Sequence, residues 1–254
     1  MRISLIRSFQ TIVAVGFLGA AIPASAAVVA DTFNRPNSNT LGLTSDSTQT
    51  WFENEPAADR ISINTDGVNQ VAQFNSRGSG TDPGAVVNIS VKDVEVKTLI
   101  RGWNTPSDNY FGGLMYRLNS TGRFFADGQP GYRVMLTEGN WNANSGPNSI
   151  SLYWGGNQFL AGYTHGSAFN NNQEYELKVV ANGNNHKVYL DGVQIIDFTD
   201  SDPARDVAGA AGIGTYYGNY YFRNFEVNAI PEPASMMLVL PALALIARRR
   251  TTIS

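Results

Sequence analysis

The chain is 254 residues long and 43% hydrophobic, with 25 glycines and no cysteine. That much apolar material suits one sizeable globular domain, and the lack of cysteine excludes a disulfide framework, a thiolate metal site and a cysteine nucleophile. Five of its 18 Lys and Arg residues but only one of its 21 Asp and Glu residues lie in the two terminal segments, so the body carries 13 basic against 20 acidic groups, near −7; this argues against nucleic acid or anionic lipid as a partner.

Residues 1–26 begin with Arg2 and Arg7, continue as an apolar run from Thr11 to Ile22, and end in Ala24-Ser25-Ala26. A basic start, a short apolar stretch and a small-x-small end are the parts of a secretory signal peptide. The run is short for a membrane span and is followed by Pro23, so the mature chain is expected to start near Ala27 and to be exported. A single domain is then expected over 27–228.

Within that body, strand-like segments follow one another at 50–54, 60–64, 68–74, 85–89, 91–103, 110–118, 131–137, 149–154 and 158–163, then at 208–216 and 220–227. Three more lie between Tyr175 and Phe198. There Tyr175, Leu177 and Val179 alternate with Glu176, Lys178 and Val180, and reversals at Asn182-Gly183-Asn184-Asn185 and Asp191-Gly192 carry residues that tolerate positive φ. No sustained 3.6-residue apolar stripe appears. Many short strands punctuated by Gly, Asn and Pro predict an all-β sandwich or barrel.

The central strands are two-faced. Val94, Val96 and Ile100 alternate with Glu95, Lys97, Arg101 and Trp103; Tyr110, Leu114, Tyr116 and Leu118 oppose Phe111, Met115 and Arg117; Tyr132, Val134 and Leu136 oppose Arg133, Met135 and Thr137. One face of each is apolar, and the other carries a single arginine.

The runs GGLMYR, GYRVML, YELKVVANG…HKVYLDG and AGIGTYYG…YFRNFEV resemble the concanavalin A-like superfamily, in particular the laminin G-like modules of secreted bacterial proteins, over most of Asp31 to Val227. The resemblance implies an antiparallel two-sheet jelly-roll sandwich. It also implies a concave face that often binds carbohydrate and sometimes hosts a glycosidase site, and in some members a structural calcium. The E-x-D-x-x-E arrangement of laminarinase-like members is absent, because Asp93 and Glu95 are followed by Lys97 and Thr98. The expectation is therefore a non-enzymatic carbohydrate-binding or structural module, with a glycoside hydrolase or lyase on the same fold as the alternative.

Arg101, Trp103, Arg117 and Arg133, with Tyr153, are the candidate sugar-binding residues. An aromatic ring stacks on a pyranose, and a guanidinium fork matches hydroxyls or uronate carboxylates, so three arginines on one face would suit an anionic polysaccharide. The competing reading pairs these arginines with Glu95 or Glu138 across strands and lays Trp103 over the sheet edge. Asp31, Asp197 and Asp200, the last two near Asp202 and Asp206, supply the oxygen ligands that calcium takes, yet no compact loop motif joins them and solvated turn aspartates read the same way. His165 and His186 have neither a nucleophile elbow nor a zinc-ligand spacing beside them; His186 begins a strand.

The chain closes with Pro231-Glu232-Pro233, an apolar run from Met236 to Ala247, and Arg248-Arg249-Arg250. This order resembles the PEP-CTERM sorting signal of Gram-negative bacteria and makes 229–254 a sorting segment. The resemblance implies processing by an exosortase, transient membrane association of the short apolar run with its arginines inside, and delivery to the envelope or an exopolysaccharide matrix.

Overall fold

The computed structural model describes residues 27–54, 60–75, 82–102, 110–119, 124, 129–138, 148–171 and 173–231. The signal segment 1–26, Trp103, Glu232, Pro233 and Arg248, Arg249 and Arg250 lie outside the described residues. No helix among the described residues is long and apolar enough to cross a membrane.

Among the described residues fifteen strands, numbered in chain order, form two sheets. The first runs β3 (Ile61–Thr65), β4 (Gln70–Asn75), β15 (Asn219–Ala229), β6 (Val94–Gly102), β11 (Tyr175–Asn182), β12 (Asn185–Leu190) and β13 (Val193–Thr199), with β1 (Ala27–Asp31) also paired to β15. The second runs β2 (Trp51–Asn54), β5 (Gly84–Val91), β14 (Gly209–Tyr216), β7 (Tyr110–Leu118), β8 (Tyr132–Glu138), β9 (Ser149–Trp154) and β10 (Gln158–Thr164). Every pairing between them is antiparallel. The two sheets face each other as the expected all-β sandwich.

Alternation along the strands builds the core. In β6 every second residue from Val94 to Gly102 is buried, and β11 follows the same rule from Tyr175 to Ala181. Their inward side chains meet Leu114 and Tyr116 of β7, Val134 and Leu136 of β8, and Ile150 and Leu152 of β9 in one continuous cluster. Both predicted reversals form. Asp191 and Gly192 have φ of +48° and +78°, the double positive φ of the hairpin turn whose twist matches its strands.

Two local features depart from the sequence reading. The segment 91–103 does not form one strand, because Lys92 and Asp93 form a bend and carry the chain from β5 in the second sheet to β6 in the first. In β7 one extra residue is accommodated between Met115, opposite Gly212, and Leu118, opposite Ala210. Arg117 there takes a φ of +53°, the conformation of a β-bulge. The bulge resets the alternation, so Leu118 lies in the outer cluster with Met115 and not beside Tyr116.

That outer cluster covers the far side of the second sheet. Val86, Phe111, Met115, Leu118, Met135 and Tyr153 are buried there with Phe124. Phe124 sits so close to Gly214 that a Cβ on that glycine would come within 2.7 Å of it. Gly113 is tighter still: a Cβ would lie 1.9 Å from the carbonyl oxygen of Val134. Relief requires β7 and β8 to part, so Gly113→Ala is expected to lower stability by about 1–3 kcal/mol, measured as a lower urea midpoint at unchanged slope.

Candidate functional site

The structure does not assemble the arginine face. Arg101 projects from β6 on the outside of the first sheet, whereas Arg117 and Arg133 belong to the second. A pattern within each strand shows which residues share that strand's face; it carries no information on which sheet the strand joins. Arg101 Nη2 pairs with Asp66 Oδ2 at 2.8 Å, and its guanidinium lies 5.0 Å from the Tyr221 ring centre.

Arg117 is 1% exposed and Arg133 is fully buried. Arg117 Nε donates to the Lys92 carbonyl and Nη2 to the Gly183 carbonyl, both at 2.8 Å. The same Nη2 meets Asp93 Oδ1 at 3.4 Å, and Nη1 lies 3.2 Å from Asp206 Oδ1 in an ion pair without hydrogen-bond geometry. Arg133 donates to the carbonyls of Phe124, Gln129 and Gly131, and burial pulls its pKa down to about 10. Tyr153, opposite Arg133, is 4% exposed with its ring against Phe159. These side chains fasten loops onto the sheet and offer no surface to a saccharide. Of the alternative partners, Glu95 faces Lys178 and Asn228 instead.

The calcium set fits poorly as well. Asp31 is buried and already accepts from both Arg35 nitrogens, Ser45 Oγ, Trp51 Nε1 and the Phe33 amide. Asp200 accepts from Tyr132 Oη and the Asp202 amide and pairs with Arg205; Asp197 is exposed and bonds Asn185. Each buried carboxylate is already neutralised by an arginine, and no group of three or more metal-type side chains occurs among the described residues.

His186 is fully buried in β12 and bonded to Tyr116 Oη through Nδ1 at 2.9 Å. Asp93 lies in the bend before β6, held to Arg117 and the Gly183 amide, so Asp93 and Glu95 do not form a carboxylate pair on one strand face.

Open ground exists elsewhere, on the outside of the first sheet. β15 keeps β6 on one edge along its length. On the other edge it pairs with β4 from Asn219 to Phe222, then with β1 from Phe225 onward. Arg223 and Asn224 fall in the gap between these partners. They also sit at a bulge: Arg223 is opposite Leu99 and Glu226 opposite Lys97, and the extra residue Asn224 has a φ of +52°.

Two recesses flank this bulge and share Thr32 and Asn224. One, of about 310 Å3, has the Leu99 side chain in its floor with Lys97, Glu176 and Glu226 around it. The other, of about 350 Å3, is framed by Asn34, Thr65, Asn69, Gln70 and Arg223. Together they make a trough of amides and hydroxyls beside a small apolar floor. Sequence reasoning missed it because Asn224, inside YFRNFEV, has the pattern of an ordinary strand residue.

No protein-family model and no curated protein matches this chain. Solved structures do. A protein of unknown function with a galectin-like fold from Bacillus subtilis superposes with a TM-score of 0.53 at 11% identity, over 80% of this chain and 96% of its own. The VIP36 exoplasmic/lumenal domain in a Ca2+/Man3GlcNAc-bound form gives 0.52 at 17% identity, over 72% and 88%. The Emp46p carbohydrate recognition domain gives 0.51 at 10% identity, over 71% and 89%. The chain is a galectin-like, concanavalin A-like β-sandwich. At these identities the likeness is one of fold, and a fold does not carry an activity.

Proposed function

We propose that this protein is an exported, non-enzymatic carbohydrate-binding module of the cell envelope or an exopolysaccharide matrix. The observation that carries the reading is the open trough at the β15 gap, on a sandwich whose fold neighbours include a saccharide-bound VIP36 domain and a carbohydrate recognition domain. Amides and hydroxyls that both donate and accept suit sugar hydroxyls, and mostly preformed concave sites with a few convergent polar groups are the usual seats of small ligands.

Glu226, one carboxylate of the trough, is unlike the general acid of a glycosidase. A general acid needs a raised pKa, and in the trough Glu226 is held low by its bonds to Asn228 and Lys97. Glu53 is pushed up by burial, but it sits on β2 under the Leu41 amide, away from the trough. A structural calcium stays within this proposal only through ligands beyond Asp31, Asp197 and Asp200.

Export and sorting belong to the same reading. Ala27, the residue after the predicted cleavage point, pairs with Asn228 near the end of β15, three residues before exposed Pro231. In this reading 27–228 is the domain, 1–26 a signal peptide and 229–254 a PEP-CTERM segment. An exosortase-type enzyme would be the processing partner, and the apolar run would tether the chain to the membrane until then.

Glycan-array screening of the secreted full chain tests the binding: retention of at least one glycan class is expected, and no retention on any would overturn it. Mass spectrometry of the secreted chain tests the processing, with a new amino terminus at or near Ala27 expected; an intact residue 1 would contradict it.

A further inference from the structure

We infer that the trough at the β15 bulge selects an uncharged, hydroxyl-rich saccharide and rejects uronate-bearing polymers. This rests on the carbohydrate-binding reading above and reverses the anionic preference that three arginines on one face would have given.

Charge decides the class. Each basic side chain at or beside the trough is already matched by a carboxylate: Lys97 Nζ by Glu226 Oε2 at 3.0 Å, Arg101 by Asp66, and Arg223 by both oxygens of Glu174. Glu176 adds a further carboxylate to the rim and has no ion-pair partner among the described residues. A uronate entering here would meet surplus negative charge, and among the described residues no basic group is left over to compensate its desolvated carboxylate. A neutral pyranose avoids that repulsion.

The remaining groups match what such a sugar offers. The gap leaves Arg223 and Asn224 without a strand partner on one edge of β15. The Asn224 side chain stands exposed between the two recesses. Gln70 Oε1 is shielded from solvent yet lacks a hydrogen-bond donor among the described residues. Gln70 lines the adjoining recess, and its amide is of the kind that both donates to and accepts from sugar hydroxyls. The partly exposed Leu99 side chain on the other side of Asn224 gives the apolar face of a ring somewhere to rest.

The test is affinity electrophoresis of the full chain in gels holding dextran, mannan, xylan or mixed-linkage β-glucan, and in a parallel gel holding alginate. Three proteins are compared: wild type, Asn224→Gly and Gln70→Ala. Glycine adopts a φ of +52° without strain, and Gln70 Oε1 accepts no hydrogen bond among the described residues, so both variants should keep the wild-type melting temperature to within a few degrees. Retardation of wild type in at least one neutral gel, none in alginate, and a roughly tenfold loss of affinity in each variant are expected, as for one hydrogen bond removed. Retardation in alginate but in no neutral gel would overturn the charge selection while leaving carbohydrate binding in place. Neutral-gel retardation that both variants retain in full would overturn the trough as the site, again without touching the broader reading. No retardation in any gel would overturn both.

Discussion

Replacing Arg117 with leucine is expected to lower the free energy of unfolding by about 3–5 kcal/mol, the range for breaking a buried ion pair from one side. Its side chain has no solvent access, while those of Asp93 and Asp206 retain 10% and 22% of theirs. The two carboxylates can therefore recover part of their hydration, and they contribute the smaller share. The larger share comes from the carbonyls of Lys92 and Gly183, which lose buried donors at about 1–3 kcal/mol each. Arg117→Lys should recover only part, because one ammonium cannot reproduce a planar fork spanning the 92–93 bend, the 183–184 turn and Asp206. Asp206→Asn should cost far less, since Asp206 is partly hydrated and its other partner is the exposed Lys92. Urea unfolding of the three variants measures the order, and a leucine variant within about 1 kcal/mol of wild type would remove Arg117 from its structural role.

The arginine illustrates where the sequence stops being informative. Alternation within β6 and β11 was readable because one face of each meets a single apolar core, and burial follows that alternation residue by residue. The Asp191-Gly192 turn was readable because its backbone demand is local. The partners of Arg117 are not local: they lie 24 to 89 residues away along the chain, from Asp93 through Gly183 to Asp206. An outward arginine on a strand that a loop covers and an outward arginine facing water have the same pattern. Only the packing of the outer cluster with Phe124 separates them.

The trough escaped for a related reason. It exists because β4 stops pairing with β15 at Phe222 and β1 begins at Phe225, so it depends on the lengths of two strands far apart in sequence. Asn224 in the left-handed region carries a small hint, since asparagine is among the few non-glycine residues that occupy it readily. That hint selects a bulge as readily as a turn. It acquires meaning only when Thr32 and Gln70 are seen on its two flanks.

The second large effect is on acid stability. His186 is packed between Tyr116, Tyr132 and Phe198, with its Nδ1 on Tyr116 Oη. Burial lowers its pKa to about 4, and the nearby Arg117 guanidinium adds to the effect, while Asp200 and Asp206 oppose it. Near pH 5 the unfolded chain, with an ordinary histidine pKa near 6.5, binds a proton that the folded chain refuses. The stabilising contribution is therefore complete above about pH 6.5 and is lost as pH falls towards 4, a total of about 3 kcal/mol for a difference of this size. The carboxylates held below their usual range, Asp46, Asp66, Asp200 and Glu226, contribute stability that is lost only as pH falls further, while Glu53, pushed up by burial, gains stability as pH falls and offsets part of the histidine slope. Urea midpoints taken every half unit from pH 4 to 8 should slope downward through that window in wild type. In His186→Gln, which starts less stable because the buried ring is gone, the downward slope over the same range should disappear. An equal slope in both proteins would assign the acid lability to other groups and leave His186 as inert packing.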